Sequence, residues 1–215
     1  MADVWFAYDT GRPVFEGLAF QWTPGERIAL VGSNGSGKTT FFKLLMGLVK
    51  PSAGGVRVFG GLRRTEADFH EVRRRIGFLF QDPDDQLFCA TVGEDVAFGP
   101  RNLGCGEAET ADRVREALDS VGLAGFENRI TYHLSFGEKR LAALAGVLAM
   151  KPDALLLDEP TAGLDEVNEE HVADLLSRLP QSLVVSSHNP AMIERLTTRK
   201  VYLARRRLHE TTVTM

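Results

Sequence analysis

The sequence predicts an α/β domain built on a parallel sheet, with a mainly helical segment inserted in it. Three observations carry this. Residues 154–157 (ALLL), 183–186 (LVVS) and 200–203 (KVYL) are short, apolar runs of the kind that forms strands buried on both faces, and helical 166–179 lies between the first two. Upstream, residues 27–31 (RIALV) run through a glycine-rich turn into TTFFKLLMGLV, a strand, a loop and a helix in succession. From Thr91 to about Met150 the pattern changes: residues 107–121 and 138–150 carry helical spacing with few β-branched side chains.

In chain order, residues 15–20 and 27–31 are the first predicted strands. Residues 54–61 (GGVRVFGG) and 76–80 (IGFLF) follow, the latter entering a loop of acids with Pro83 and Gln86. There is no internal repeat and no low-complexity linker. The expectation is one domain over 1–215, with about 1–89 and 151–215 forming the sheet-based core and about 90–150 the helical insertion. Two arginine-rich stretches, Arg63, Arg64 and Arg73 to Arg75, then Arg195, Arg199, Lys200 and Arg205 to Arg207, are expected to be solvated charged faces rather than sites.

Composition bounds the function. A chain of 215 residues with 44% apolar side chains buries roughly 70% of the surface its unfolded form exposes, so the core needs no disulfide or metal. With 25 basic against 29 acidic residues and a net charge of −4, electrostatic nucleic-acid binding is not the expected activity. Cys89 and Cys105 lie outside any CxxC spacing, no secretory apolar region follows Met1, and both thiols are expected to be reduced and cytosolic. The longest apolar stretch, residues 141–150 (LAALAGVLAM), is about half of the ~20 residues a bilayer crossing needs. A membrane role would therefore come through a partner.

Residues 32–40 read GSNGSGKTT, satisfying G-x-x-x-x-G-K-[ST] between a strand and a helix. Gly32, Gly35 and Gly37 permit backbone angles that turn N–H groups inward, with Ser33, Asn34 and Ser36 between them, and the following helix N-terminus adds its positive dipole. Lys38 is expected to place a charge on the β- and γ-phosphates of a bound nucleotide. The Thr39 hydroxyl, beside Thr40, is expected to ligate Mg²⁺. Residues 154–160 (ALLLDEP) end a strand in two acids, at the edge where open α/β sheets bind ligands. Consecutive strand residues face opposite ways, so Asp158 is assigned to Mg²⁺ and Glu159 to polarising the attacking water.

Residues 134–140 (LSFGEKR), just before a helix and about twenty residues upstream of ALLLDEP, identify the chain as similar to ATP-binding-cassette (ABC) ATPases. Seven motifs in order carry the resemblance over nearly the whole chain. Tyr8 in WFAYDTG resembles the aromatic that stacks on adenine, GSNGSGKTT resembles Walker A, and Gln81 in FLFQDPDDQLF resembles the Q-loop glutamine, serving Mg²⁺ or water. LSFGE resembles the signature, ALLLDEP Walker B, AGLD at 162–165 the D-loop, and His188 in SSHNP the switch histidine, which reaches the γ-phosphate or the lytic water. The resemblance implies a P-loop NTPase fold of ABC type, with a helical signature subdomain inserted in a RecA-like core. The signature departs from LSGGQ at Phe136 and at Glu138. His70, His133, His171 and His209 have no metal-ligand spacing.

Within the family, FQDPDDQLFCATVGEDVAFGP and LSFGEKRLAALAGVLAMKPDALLLDEPTAGLD are most similar to the ATPases of energy-coupling-factor importers, the cobalt or nickel branch being nearest. The resemblance implies an ATPase dimer, homodimeric or with a related chain. In it Ser135, Phe136, Gly137 and Glu138 reach the nucleotide in the other subunit. It also implies a transmembrane coupling protein, a membrane substrate-binding component, a place at the cytoplasmic face of the membrane, and no nucleic acid. Vitamin uptake, for example of biotin, and a non-transport regulatory ATPase are the alternatives. A small-molecule P-loop kinase would explain Walker A but neither LSFGE nor AGLD. Leu87 and Phe88, beside Asp82, Asp84 and Asp85, are expected to be either an apolar anchor for the membrane partner or subdomain core.

Overall fold

The computed structural model describes residues 1–8 and 11–210. Asp9 and Thr10 of the WFAYDTG motif, and residues 211–215 of the C-terminal segment, lie outside the described residues. The elements in order are β1 (Ala2–Ala7), β2 (Pro13–Leu18), β3 (Arg27–Val31), α1 (Lys38–Leu45), β4 (Ala53–Val58), β5 (Gly61–Arg63), α2 (Glu66–Arg75) and β6 (Ile76–Leu79). After them come α3 (Val92–Asn102), α4 (Glu107–Ser120), α5 (Phe136–Ala149), β7 (Ala154–Asp158), α6 (Glu166–Arg178), β8 (Ser182–Ser186), α7 (Pro190–Leu196), β9 (Arg199–Ala204) and β10 (Arg207–Glu210).

A six-stranded sheet runs β10-β9-β3-β8-β7-β6, parallel except for β10, and a four-stranded antiparallel sheet runs β2-β1-β4-β5. Every residue of β7 is buried, because its two faces feed two different cores. Leu155 and Leu157 join one cluster with Val96, Leu118, Leu144, Val172 and Leu196 from α3 to α7. Ala154 and Leu156 join the other, with Phe41 and Phe42 of α1, Phe69 of α2, and Val4 and Phe15 of the small sheet. Burying a Leu side chain in this way contributes about 1.5–3 kcal/mol, so apolar residues at 154–157 are the stable choice, and the strand turns polar only at Asp158. No helix among the described residues is long and apolar enough to cross a membrane.

Three sequence expectations change. Residues 54–61 are not one strand: Phe59 (φ 51) and Gly60 (φ 76) turn left-handed, and β4 folds back on β5. α1 stops at Leu45, because Gly47 takes φ 69 and a Cβ there would lie 2.1 Å from the Phe69 ring. The arginine stretches are ties rather than merely solvated faces. Arg73 donates to Met46 O, Arg74 to Leu103 O, Arg75 pairs with Asp153, and Arg195 bridges Glu170 and Asp174.

Candidate active site

The loops at the carboxyl ends of four adjacent strands supply the site: the phosphate loop after β3, Gln81 after β6, Asp158 and Glu159 at the end of β7, and His188 after β8. This is the edge at which open α/β sheets hold ligands. A cleft of about 380 Å³ gathers Asn34, Gly35, Gly37, Lys38, Thr39 and Thr40 with Tyr8, Gln81, Asp158, Glu159 and His188. Gly32, Ser33 and Ser36 line an adjoining hollow that also borders Tyr8.

The loop is built for close backbone approach. Gly37 has φ 107, and a Cβ there would come within 2.9 Å of Val14; one on Gly32 would meet Ser36 Oγ at 2.5 Å and Leu203 O at 2.9 Å. α1 begins without a side-chain cap and with no acid in its first turn, so its N–H groups and dipole remain available to an anion. Ser36 Oγ is buried without a partner. Lys38 Nζ donates to Gly32 O (2.8 Å) and Ser33 O (3.4 Å), which holds the ammonium over the loop. An uncapped helix start, a glycine cradle and an orphan hydroxyl fit a polyphosphate.

Oxygen ligands converge beside it. Thr39 Oγ1 donates to Asp158 Oδ2 at 2.5 Å and lies 3.4 Å from Gln81 Oε1. Ser186 Oγ donates to the other Asp158 oxygen at 2.5 Å and accepts from Glu159 N at 3.2 Å. A hydroxyl, a carboxylate and an amide oxygen make a hard donor set suited to Mg²⁺.

The opposite-face expectation for the two acids does not hold. Glu159 lies past the end of β7 with φ 53, and this left-handed step returns its side chain to the cleft that Asp158 also lines. Glu159 Oε2 accepts from His188 N at 3.2 Å. Its Oε1 is buried without a hydrogen-bond partner, 3.4 Å from His188 Nε2. Tyr8 is 44% exposed, meets Phe6 edge to face at 4.8 Å, and its hydroxyl is 3.1 Å from Thr40 Oγ1.

Ser135, Phe136, Gly137 and Glu138 line neither cavity. Ser135 caps α5 in a reciprocal box: Glu138 N donates to Ser135 Oγ (3.2 Å), while Ser135 N and Oγ both donate to Glu138 Oε2 (2.8 Å each). These hydrogen bonds hold the Glu138 carboxyl below its ordinary range. The S-x-x-E spacing announces such a box, which Glu or Gln at this position can close. The Phe136 ring, 48% exposed, covers the D-loop turn: Gly163 has φ 77, and a Cβ on it would lie 2.5 Å from the ring.

Sequence reasoning missed Arg140 and Asp95. Arg140 is buried under the cleft, donating to Phe80 O at 2.6 Å and to Gln81 O. Asp95 accepts from Phe88 N and Cys89 N (2.9 Å each) and from Thr131 Oγ1 (3.0 Å), tying the segment after Gln81 to the turn before the signature. Burial beside Asp95 pushes the Cys89 thiol up to about 11, so it stays protonated at neutral pH. Leu87 packs against the helical core, while Phe88 is 66% exposed and meets Phe98 edge to face at 4.9 Å.

Comparison with known proteins agrees with this geometry. The family profile described as ABC transporter matches residues 15–162, more than half of the chain. The chain is 43% identical over 203 residues to the energy-coupling factor transporter ATP-binding protein EcfA of Methanothermobacter thermautotrophicus, covering 93% of this chain and 65% of that one. It is 43% identical over 195 residues to EcfA of Methanocaldococcus jannaschii, covering 89% and 70%. Among solved structures it resembles cbiO1 from Clostridium perfringens, part of the ABC transporter complex cbiONQ, with TM-score 0.82, 33% identity and coverage of 97% and 85%. It also resembles a dimeric ATP-binding cassette in a post-hydrolysis state bound to ADP and phosphate, with TM-score 0.89, 25% identity and coverage of 97% of each chain. The chain belongs to the ABC transporter family and is an ATPase that uses ATP with Mg²⁺.

Proposed function

We propose that this member of the ABC transporter family is the ATP-hydrolysing subunit of an energy-coupling-factor importer, working as a dimer at the cytoplasmic face of a membrane. The observation that carries the reading is Glu159, whose buried Oε1 has no hydrogen-bond partner in the cleft that Lys38, Thr39 and Asp158 line. In this reading Tyr8 stacks on adenine, and the loop from Gly32 to Thr40 holds the phosphates. Thr39, Asp158 and Gln81 would hold Mg²⁺, which when bound neutralises charge on the phosphate oxygens. Glu159 takes the proton of the attacking water, and His188 steadies the γ-phosphate. Ser135 to Glu138 complete the site of a second ATPase subunit, identical or related.

The exposed Phe88 and Phe98, in contact with each other, support a docking face for a transmembrane coupling protein: an apolar anchor, with the acids Asp82 and Asp85 a few residues before Phe88 in the chain. A membrane substrate-binding component would complete the importer. The relatives named EcfA and the likeness to cbiO1 support the importer class, and the cargo we propose is a transition-metal ion, cobalt or nickel. In this reading cargo selection belongs to the membrane components. The test is a cysteine at Phe88, in a background lacking Cys89 and Cys105. Gln86 suits it less, since its amide is engaged by Phe80 N and Ala143 O. In native membranes Phe88→Cys should crosslink to a multi-span membrane protein, with a yield that changes on adding ATP; capture of soluble partners alone would replace import by a regulatory role.

A further inference from the structure

Arg140 heads the fully buried side chains of the molecule, with 0% exposure, yet its hydrogen bonds go to backbone rather than to a carboxylate. Burying a guanidinium is costly, and an apolar residue of similar volume is commonly tolerated in its place. The cation has a specific geometric consequence here. Its planar fork spans two successive carbonyls, Phe80 O through Nη1 and Gln81 O through Nη2, where a lysine would offer a single point charge. Its Nε is buried without a partner, so the fork is aimed at this strand end at the expense of its third donor position.

Two other contacts bind the same loop to the same helix: Lys139 Nζ donates to Asp84 Oδ1 at 2.6 Å and Gln86 Nε2 donates to Ala143 O at 3.2 Å. Within the loop, Phe80 N donates to Gln86 Oε1 at 3.1 Å. One end of this clamp is Gln81, whose Oε1 is 3.4 Å from Thr39 Oγ1. The other is Ser135, five residues before Arg140 and about 7.5 Å away along the helix.

We propose that Arg140 is a positioning residue that fixes Gln81 to the signature helix, so that engagement of Ser135 by a partner's nucleotide is felt at the Mg²⁺ and water side of the same chain. This rests on the reading of Gln81 and Ser135 given above. The geometry distinguishes it from a general packing role: the carbonyl that Arg140 holds belongs to the residue whose side chain enters the cleft.

The experiment uses Arg140→Met, which fills the space without donating, Arg140→Lys, Gln81→Ala, and the double variant of Arg140→Met with Gln81→Ala. Nucleotide affinity, kcat, KM for ATP, the Mg²⁺ concentration for half-maximal rate and thermal melting are measured on each full chain. Arg140→Met should bind nucleotide as the parent does, lose kcat on the order of 10- to 100-fold as misplaced groups do, and need more Mg²⁺. Arg140→Lys should recover part of that loss. The double variant should be no slower than the worse single one, as residues acting through one another are. A parental kcat in folded Arg140→Met, or losses that multiply in the double variant, overturns the proposal. Should Arg140→Met not fold, Arg140→Lys decides by the same split: reduced kcat at unchanged affinity supports it, unchanged kcat overturns it. If Gln81→Ala alone leaves kcat intact, the reading of Gln81 fails and this inference with it; if only Gln81→Ala lowers kcat, the coupling alone fails.

Discussion

The phosphate-loop cleft and the start of α5 are opposite solutions to placing polar groups near a nucleotide. In the cleft, side chains from four strand ends converge, and two buried oxygens, Glu159 Oε1 in the cleft and Ser36 Oγ in the adjoining hollow, are left without a hydrogen-bond partner. At the start of α5, the polar groups satisfy one another: Ser135 and Glu138 close a local box, and Phe136 lies over Gly163 of its own chain. Unpaired buried polar atoms cost stability and persist where a ligand will pair them, whereas a self-capped helix start is stable as it stands. The cleft is thus organised around an incoming group. The signature is a finished surface presented outward, to be used by something that reaches it.

The largest effects are expected at the cleft. Glu159→Gln should leave nucleotide binding near parental and lower hydrolysis roughly 10²- to 10⁴-fold, the contribution of a positioned base. Single-turnover kinetics alongside a binding titration would check this, and ATP should then trap the dimer. At the seam between signature and D-loop, Gly163→Ala adds a methyl at φ 77 and 2.5 Å from the Phe136 ring. It should cost about 1–3 kcal/mol by overpacking, read as a lower denaturant midpoint. Combining it with Phe136→Ala should relieve the clash but not the backbone penalty.

The smallest effect is expected at the capping box that starts α5. Because hydrogen bonds from Ser135 hold the Glu138 carboxyl below its ordinary range, the folded state binds that proton less tightly than the unfolded chain. Its stabilisation is complete above the unfolded value and is lost as pH falls through the folded one. Urea midpoints of the parent and Glu138→Gln should therefore differ at pH 7, by up to the ~1 kcal/mol of a cap, and converge once the pH has fallen below the lowered folded-state value of Glu138.

β7 was legible because burial on both faces demands an unbroken apolar run, and ALLL before Asp158 supplies one. α2 was not, since only Phe69 and Val72 of EADFHEVRRR are buried, and its arginines read as a charged face until their carbonyl and carboxylate partners are seen. Residues 54–61 read as one strand because nothing in VRVFGG marks which residue reverses; Phe59 takes a positive φ that its type rarely adopts. In the site, the motifs specify which residues meet but not how the backbone aims them. Glu159 shares a cleft with Asp158 through a left-handed step that strand alternation does not anticipate. Arg140 was hidden for a different reason: a basic residue in a helix is ordinarily solvent-facing, and only the tertiary position of Phe80 and Gln81 gives its fork a target.

In the proposed dimer each working site joins the cleft of one chain to the signature of another. Mixed dimers test it most directly. Chains carrying Lys38→Ala lack a working cleft, and chains carrying Ser135→Arg lack a working signature, so each homodimer should be inactive. A dimer holding one of each has one site with both parts intact. Exchanging subunits between the two purified, folded variants and measuring phosphate release should return hydrolysis that neither variant shows alone. Absence of any recovery, with subunit exchange verified in the same sample, would contradict hydrolysis across the interface.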